Sequence, residues 1–250
     1  MKPFLAILLS MLLLGEQVPL RQPLPQKSLG TTKYDVHYVR GAFRTKMATA
    51  SFVLDQAVWE GESAYHASFS IHAVNLFRLI IRDQYKASLY LDRKEMNPVF
   101  YSYPHVKKGE NRTLEFWYNK DKGIIESVTH VEGQEEPLVK TYTLDGITME
   151  AASLVFFIRT IDPAALKEPV SLGLLIAGIR APAYLSYVGE DNEYMPGKQA
   201  FHYLISLTER GLMENGSGNE IHVWVSAEPT HDLLGLMVPL GKAFMTARIR

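Results

Sequence analysis

Apolar and polar residues alternate along nearly the whole chain after Lys33, and this period of two is the sequence feature that most restricts the fold. In Tyr65, Ala67, Phe69 and Ile71, for example, the apolar residues occupy every second position. Such spacing places their side chains on one face of a β-strand. The pattern recurs in about twelve segments that are separated by turn residues, which predicts a large antiparallel curled sheet or a partly closed β-barrel.

One stretch departs from this alternation. Residues 146–160 (GITMEAASLVFFIRT) predict a helix with Thr148 as its N-cap, since no helix breaker follows it before the stop at Asp162-Pro163. The segment is apolar on nearly all sides, which is typical of a buried helix. Ser153, inside it, is interpreted as hydrogen-bonded back to a backbone carbonyl. The expected fold is therefore mainly β, with one buried long helix.

The first residues are typical of an export signal. Lys2 supplies a positive start, and residues 4–14 form an apolar run that is shorter than the roughly 20 residues needed to span a membrane. A Pro-rich linker follows. We therefore expect residues 1–27 to be a signal peptide and linker and residues 28–250 to be a single β-rich domain. An uncleaved membrane anchor, and a subdivision of the domain near residues 132–137, are the alternatives.

Composition narrows the environment and the partners. The chain has no cysteine, so an exported form cannot use disulfide bonds, and this favours the periplasm of a Gram-negative bacterium over secretion from a eukaryotic cell. The formal net charge of −1 lacks the basic excess that nucleic-acid binding requires. We predict no nucleic-acid partner and no membrane span after signal cleavage.

Motifs of catalysis and metal binding are not found in the sequence. The eight histidines are scattered and never form a His-x-His or His-Glu-x-x-His pattern. There is no Gly-x-Ser-x-Gly, and the lack of cysteine excludes a thiol enzyme. We therefore predict no catalytic residues, no metal and no cofactor. A hydrolase whose site is assembled from distant residues such as Asp83 and His222 is the alternative.

The aromatic and aliphatic residues of the predicted strands and helix are the best functional lead. If the curled sheet encloses a cavity, these side chains would line it and could bind a lipid or another apolar ligand. A closely packed core is the usual state of protein interiors and is the alternative. The predicted lining residues are Tyr65, Phe69, Tyr85, Leu89, Phe116, Tyr118, Leu154 and Phe157.

The order of these features resembles a known family. The motifs are Tyr34-Asp35-Val36-x-Tyr38 with Gly41, Arg82-Asp83-x-Tyr85, Leu91-Asp92, Asn97-Pro98, Glu115-Phe116-Trp117-Tyr118, Phe157-Ile158-Arg159, and Ile221-His222-Val223-Trp224-Val225-Ser226 with Pro239 and Gly241. Across residues 33–249 they resemble the exported bacterial family called domain of unknown function 3108. Ala227-Glu228 stands where that family commonly has an aspartate after the serine. The resemblance implies a mostly β envelope protein and brings no activity.

Together these features predict an exported periplasmic protein that binds or carries a ligand without catalysis, or that acts as a scaffold in the cell envelope. The expected partner is an apolar or lipid-like ligand or another envelope protein. An outer-membrane-associated β-barrel is a further alternative, suggested by the number of strands.

Overall fold

The computed structural model describes residues 24, 29–74, 77–78, 85–107, 109–176, 179–208 and 219–250. Most of these residues lie in fifteen strands, and one α-helix follows the ninth strand. The predicted signal peptide lies outside the described residues. The strands are β1 (Gly30–Arg40), β2 (Phe43–Trp59), β3 (Glu62–Ala73), β4 (Tyr85–Asp92), β5 (Pro98–Lys107), β6 (Glu110–Asn119), β7 (Ile124–Val131), β8 (Leu138–Thr143), β9 (Ile147–Glu150), β10 (Val170–Ile176), β11 (Ile179–Asp191), β12 (Ala200–Leu207), β13 (Glu220–Ser226), β14 (Leu233–Leu240) and β15 (Ala243–Ile249).

All fifteen strands belong to one curled sheet, in the order β8-β7-β6-β5-β4-β3-β2-β1-β15-β14-β13-β12-β11-β10-β9. Neighbouring strands are antiparallel except for β9 and β10, which are parallel. The two edge strands, β8 and β9, are consecutive in the chain and are joined by residues 144–146, yet they share no ladder. The sheet is therefore curled but unclosed, as the alternation predicts. Residues 132–137 connect β7 and β8 within this sheet.

Alternation sets which side chains face the interior. In β3, Tyr65, Ala67 and Phe69 are buried, while His66 and Ser68 between them are only partly covered. Two core clusters result. The first core cluster includes Tyr34, Leu154, Phe157, Ile158, Leu185, Tyr203 and Val223. The second core cluster includes Leu54, Tyr65, Phe69, Leu89, Phe116, Ile125 and Phe156.

Helix α1 (Ala151–Arg159) lies between the two clusters and contributes to both. Its Phe156 packs edge-on against Phe69 of the second cluster, with ring centroids 5.8 Å apart. Its Leu154, Phe157 and Ile158 belong to the first cluster. The helix is apolar on nearly all sides because both of its faces are covered, which confirms the predicted burial.

The predicted bounds and length of the helix are wrong. The helix has nine residues, and Ile147–Glu150 form β9 instead of its first turn. This segment pairs with Leu172–Leu175 of β10, and the β-branched Ile147 and Thr148 favour a strand when such a partner is available. Thr148 is not the N-cap, since its hydroxyl donates to the carbonyl oxygen of Asp145 over 2.8 Å. Glu150 takes the N-cap position in extended backbone conformation, without a capping hydrogen bond from its side chain.

The end of the helix is tied to the turn between β13 and β14. Arg159 is only 8% exposed, and its Nε donates to the carbonyl oxygen of His231 over 2.7 Å. Its guanidinium also approaches the partly exposed Asp232 at 3.5 Å. The Tyr34 hydroxyl, from the first strand, donates to the carbonyl oxygen of Leu233 over 2.9 Å. These contacts hold α1 against the centre of the sheet.

Replacement of Arg159 should therefore destabilise the fold. We expect Arg159→Ala to lower the free energy of unfolding by about 2–3 kcal/mol, because a buried charge-assisted hydrogen bond is lost. The control is Arg250→Ala, which removes an exposed ion pair with Asp35 and should cost at most about 1 kcal/mol. Urea unfolding measures both values, and equal losses in the two variants would contradict the role given to Arg159.

Candidate functional site

A cavity of about 620 Å³ lies beside the connection between the two edge strands of the sheet. We call it the seam cavity. Its walls come from the turn between β4 and β5, the end of β6, the connection between β8 and β9, and β9 itself. The lining residues are Lys94, Glu95, Asn97, Pro98, Tyr118, Lys120, Leu144, Gly146, Ile147, Thr148 and Met149.

The short connection between the edge strands shapes one side of this cavity. The Leu144 N–H donates to the carbonyl oxygen of Gly123 over 2.9 Å, and Gly146 has a φ of +55° that side-chain-bearing residues rarely adopt. Asp145 forms an ion pair with Arg180 of β11. These contacts attach the connection to the turn between β6 and β7 and to β11.

Close packing beside β9 adds to this attachment. Gly173 of β10 is the ladder neighbour of Thr148, and a Cβ at Gly173 would stand 2.7 Å from the Thr148 hydroxyl oxygen and 2.7 Å from the Arg180 Nε. Real Cβ atoms do not approach other atoms so closely. The lack of a side chain at Gly173 therefore lets Thr148 and Arg180 pack across β10.

The rim of the seam cavity is charged and ordered. Lys120 forms ion pairs with Asp92 at 3.3 Å and with Glu95 at 3.0 Å. The Asp92 carboxylate also accepts hydrogen bonds from the backbone N–H groups of Glu95 and Asn97, at 2.7 and 3.0 Å. The second rim cation, Lys94, is exposed. Charge is thus located where the cavity meets solvent.

A buried carboxyl group lies behind the cavity wall. Glu150 follows Met149 at the end of β9 and is 3% exposed. Its Oε2 accepts a hydrogen bond from the Ser153 hydroxyl over 2.9 Å, while its Oε1 is buried without a hydrogen-bond partner. Burial raises the pKa of this carboxyl from its ordinary value of 4.5 to about 7, and nearby hydrogen-bond donors only partly oppose this effect. Near neutral pH, Glu150 can therefore both donate and accept hydrogen bonds.

Tyr118 connects this carboxyl to the cavity. It lines the seam cavity, and its hydroxyl lies near both the carboxyl and the backbone N–H of Glu150. The geometry does not meet that of a hydrogen bond, so the buried Tyr118 hydroxyl is also left without a well-aligned partner. Burial, reinforced by the Glu150 charge, raises the pKa of Tyr118 well above its ordinary value. Two buried polar groups with unused hydrogen-bonding capacity thus lie side by side.

Further tyrosines surround this pair inside the sheet. The Tyr85 and Tyr101 hydroxyls are 3.1 Å apart, and burial raises the pKa of both. Burial also raises the pKa of Tyr103 and Tyr142, and the Glu150 charge contributes to the shifts at Tyr85, Tyr101 and Tyr103. We call Tyr85, Tyr101, Tyr103, Tyr118 and Tyr142 the tyrosine cluster. The interior of this half of the sheet is consequently not purely apolar.

Of the eight residues predicted to line a cavity, one lines the seam cavity and seven do not. Tyr118 alone lies on the wall of the seam cavity. The remaining residues pack in or against the core clusters: Tyr65, Phe69, Leu89 and Phe116 in the second, Tyr85 against the second, and Leu154 and Phe157 in the first. Tyr85 and Tyr118 also belong to the tyrosine cluster.

The polar residues considered in the sequence take other positions. The Ser153 hydroxyl does not bond back to a carbonyl, because it donates to the Glu150 side chain. His222 Nδ1 lies 2.9 Å from Nε2 of His202, with the two rings stacked. Asp83 lies outside the described residues. Within the part of the chain that the structure describes, no three histidine or carboxylate side chains form a metal-binding group.

Glu150 and three members of the tyrosine cluster, Tyr101, Tyr103 and Tyr142, are the residues that sequence reasoning missed. One signal was available, because Glu150 is the only charged residue between Gly146 and Ile158. A carboxyl group in such an apolar stretch must lie either at a surface or in a special buried environment.

The described part of the chain contains no helix that is both long and apolar enough to cross a membrane.

The raised pKa of Glu150 predicts a specific pH dependence of stability. The native carboxyl stays protonated up to about pH 7, whereas in the unfolded chain it ionises near 4.5, so the native state loses stability as pH rises through this window. Relative to Glu150→Gln, the free energy of unfolding of the unmodified protein should fall by about 3 kcal/mol between these pH values.

Urea unfolding at several pH values measures this difference. Glu126→Gln, at an exposed carboxylate on β7, is the matched control and should show a much smaller change. A difference between the unmodified protein and Glu150→Gln that stays constant from pH 4.5 to pH 7 would contradict the protonation state given to Glu150.

Comparison with known proteins places the chain in a family. The protein family of unknown function DUF3108 matches residues 33–246. No curated protein matches the chain. Among solved structures, the crystal structure of a beta-barrel-like protein of the domain of unknown function DUF1849 from Brucella abortus is similar, with 8% sequence identity and a TM-score of 0.47 over 89% of this chain and 97% of that chain. Since the family match covers most of the sequence, as the motifs indicate, the chain belongs to the DUF3108 family.

Proposed function

We propose that this protein is a non-enzymatic binding protein of the bacterial cell envelope and that it holds an apolar or lipid-like ligand in the seam cavity. The cavity is the main support for this proposal. Its volume of about 620 Å³ lies within the range of about 300–1,000 Å³ that small-molecule sites occupy. A cavity of this size at an unclosed seam is accessible without unfolding of the sheet.

The walls suit an apolar molecule. Pro98, Leu144, Ile147 and Met149 contribute apolar surface. Ile147 and Met149 belong to the first core cluster, while Leu144 packs against the second. A ligand between them would therefore contact apolar side chains of both clusters and would gain from the removal of its surface from water. The charged rim would keep the entrance hydrated.

The N-terminal sequence supports a location in the periplasm. Residues 4–14 form the apolar run expected of a signal peptide, and the chain has no cysteine to which a bacterial lipid anchor could be attached. In this proposal the mature protein carries its ligand in solution in the periplasm. Alternatively, the protein acts as a scaffold that binds another envelope protein, and this role requires no small ligand.

Native mass spectrometry tests the proposal. The full-length gene is expressed in a Gram-negative host, the protein is purified from the periplasm, and any retained molecule is extracted under denaturing conditions. We expect a co-purifying molecule of lipid-like mass, or binding of a dansyl-labelled fatty acid by the purified protein. An empty protein that also fails to bind the labelled fatty acid would contradict the carrier function and would leave the scaffold function. Recovery only from the cytosol would contradict the location.

A cavity-filling substitution locates the site. Leu144→Trp places a larger side chain in the seam cavity, and we expect it to weaken binding of the labelled fatty acid by at least about tenfold because the ligand loses space. Leu138→Trp is the matched control, since Leu138 lies on β8 outside the cavity and is 53% exposed. Fluorescence titration measures both affinities. Equal affinity in the two variants would place the ligand elsewhere.

A further inference from the structure

We propose that Tyr118 and Glu150 form the polar end of the seam cavity and that they bind the neutral hydrogen-bonding head group, a hydroxyl or an amide, of an amphiphile that enters head first. This inference rests on the proposed function, because it specifies the chemical class of the ligand in the same cavity. It adds an orientation and two specificity-determining residues.

The two buried groups at this end of the cavity have unused hydrogen-bonding capacity. The Glu150 Oε1 and the Tyr118 hydroxyl are both buried, and neither has a well-aligned partner. Leaving a buried polar group unpaired is costly, so a native structure normally provides a partner for it. Tyr118 lines the cavity, but its hydroxyl and the Glu150 Oε1 are covered in the free protein, so a ligand supplies that partner when the Tyr118 side chain turns toward the cavity. A hydroxyl group fits well, because it can accept from Tyr118 and donate to Glu150.

The distribution of charge selects a neutral head group. Near Glu150 the structure places the Ser153 and tyrosine hydroxyls, and no cation contributes to the pKa of this carboxyl among the described residues. The cations of the cavity, Lys94 and Lys120, are on its rim. A carboxylate or phosphate head that entered the interior would therefore meet a second acidic group without a compensating charge. A neutral head group avoids this cost.

The arrangement of the walls sets the orientation. Apolar side chains line the cavity together with Tyr118, so the alkyl part of an inserted amphiphile contacts Leu144, Ile147 and Met149. A ligand inserted tail first would place alkyl groups against the buried polar pair and leave both groups unpaired. Head-first insertion satisfies the polar pair and buries alkyl surface at the same time.

Competition binding tests this inference with matched compounds. Displacement of the dye N-phenylnaphthylamine is measured for decanol, decane and decanoate, with the full-length expressed protein and with Tyr118→Phe. We expect Tyr118→Phe to lower the ratio of decanol affinity to decane affinity by about five- to tenfold, because one hydrogen bond to the head group is lost. Glu150→Leu removes the second polar group of the pair and should lower the ratio by a similar factor.

Tyr203→Phe is the control for the loss of a tyrosine hydroxyl. Tyr203 is buried in the first core cluster, away from the cavity lining, and its substitution should leave the ratio unchanged. Thermal unfolding of each free variant confirms that it is folded, and Glu150→Leu supplies a second measurement of the polar pair if Tyr118→Phe does not fold.

The outcomes separate this inference from the proposed function. An unchanged ratio in Tyr118→Phe, or an equal fall in Tyr203→Phe, would overturn the assigned polar end but would leave the binding function intact. Tighter binding of decanoate than of decanol, lost in Lys94→Ala, would place the head group at the rim and overturn the orientation. If no compound displaces the dye, and the labelled fatty acid is not bound, both the inference and the proposed function fail.

Discussion

Burial of both faces of α1 is the constraint on which the rest of the structure depends. A nine-residue helix with Phe156 in one core cluster and Leu154, Phe157 and Ile158 in the other cannot lie on an open sheet, because one apolar face would then meet water. The sheet has to curl around it. The buried Arg159 then links the end of the helix to the turn between β13 and β14, which fixes the helix along its axis. The same packing contacts therefore require the sheet to curl and fix the position of the helix.

The seam cavity follows from the same constraint. The chain enters the helix from β9, so this short strand has to lie where the helix begins, and it pairs with β10 on one side only. Its other edge forms no ladder with the described strands. Glu150 occupies the junction between strand and helix, where its side chain points among tyrosine hydroxyls instead of capping the helix. The unclosed edge and the buried polar pair are thus both located at the strand-to-helix transition.

The sequence predicts the sheet better than it predicts the site, for physical reasons. Alternation with a period of two indicates directly which face of a strand is buried, and in β3 Tyr65, Ala67 and Phe69 are buried as the pattern predicts. Alternation does not show which strands lie close together without a ladder, so the proximity of Tyr118 on β6 and Glu150 on β9 could not be deduced. The helix bounds were wrong because Ile147 and Thr148 find a partner in β10, a tertiary contact that overrides local helix signals. Most predicted lining residues proved to pack in or against the core, since inward-facing strand positions fill a core and line a cavity equally well.

The strand order also has a consequence for how the chain reaches this structure. Every ladder joins strands that are consecutive in sequence, with the exception of β1 and β15. The segments β1–β8 and β9–β15 can therefore form as two meanders from local contacts, whereas the ladder that pairs Tyr34 with Ile249 has to close a loop of nearly the entire chain. Non-local pairing of this kind slows folding. Until it forms, each meander exposes one unpaired edge at the future centre of the sheet, and during that interval two chains can exchange partners or aggregate.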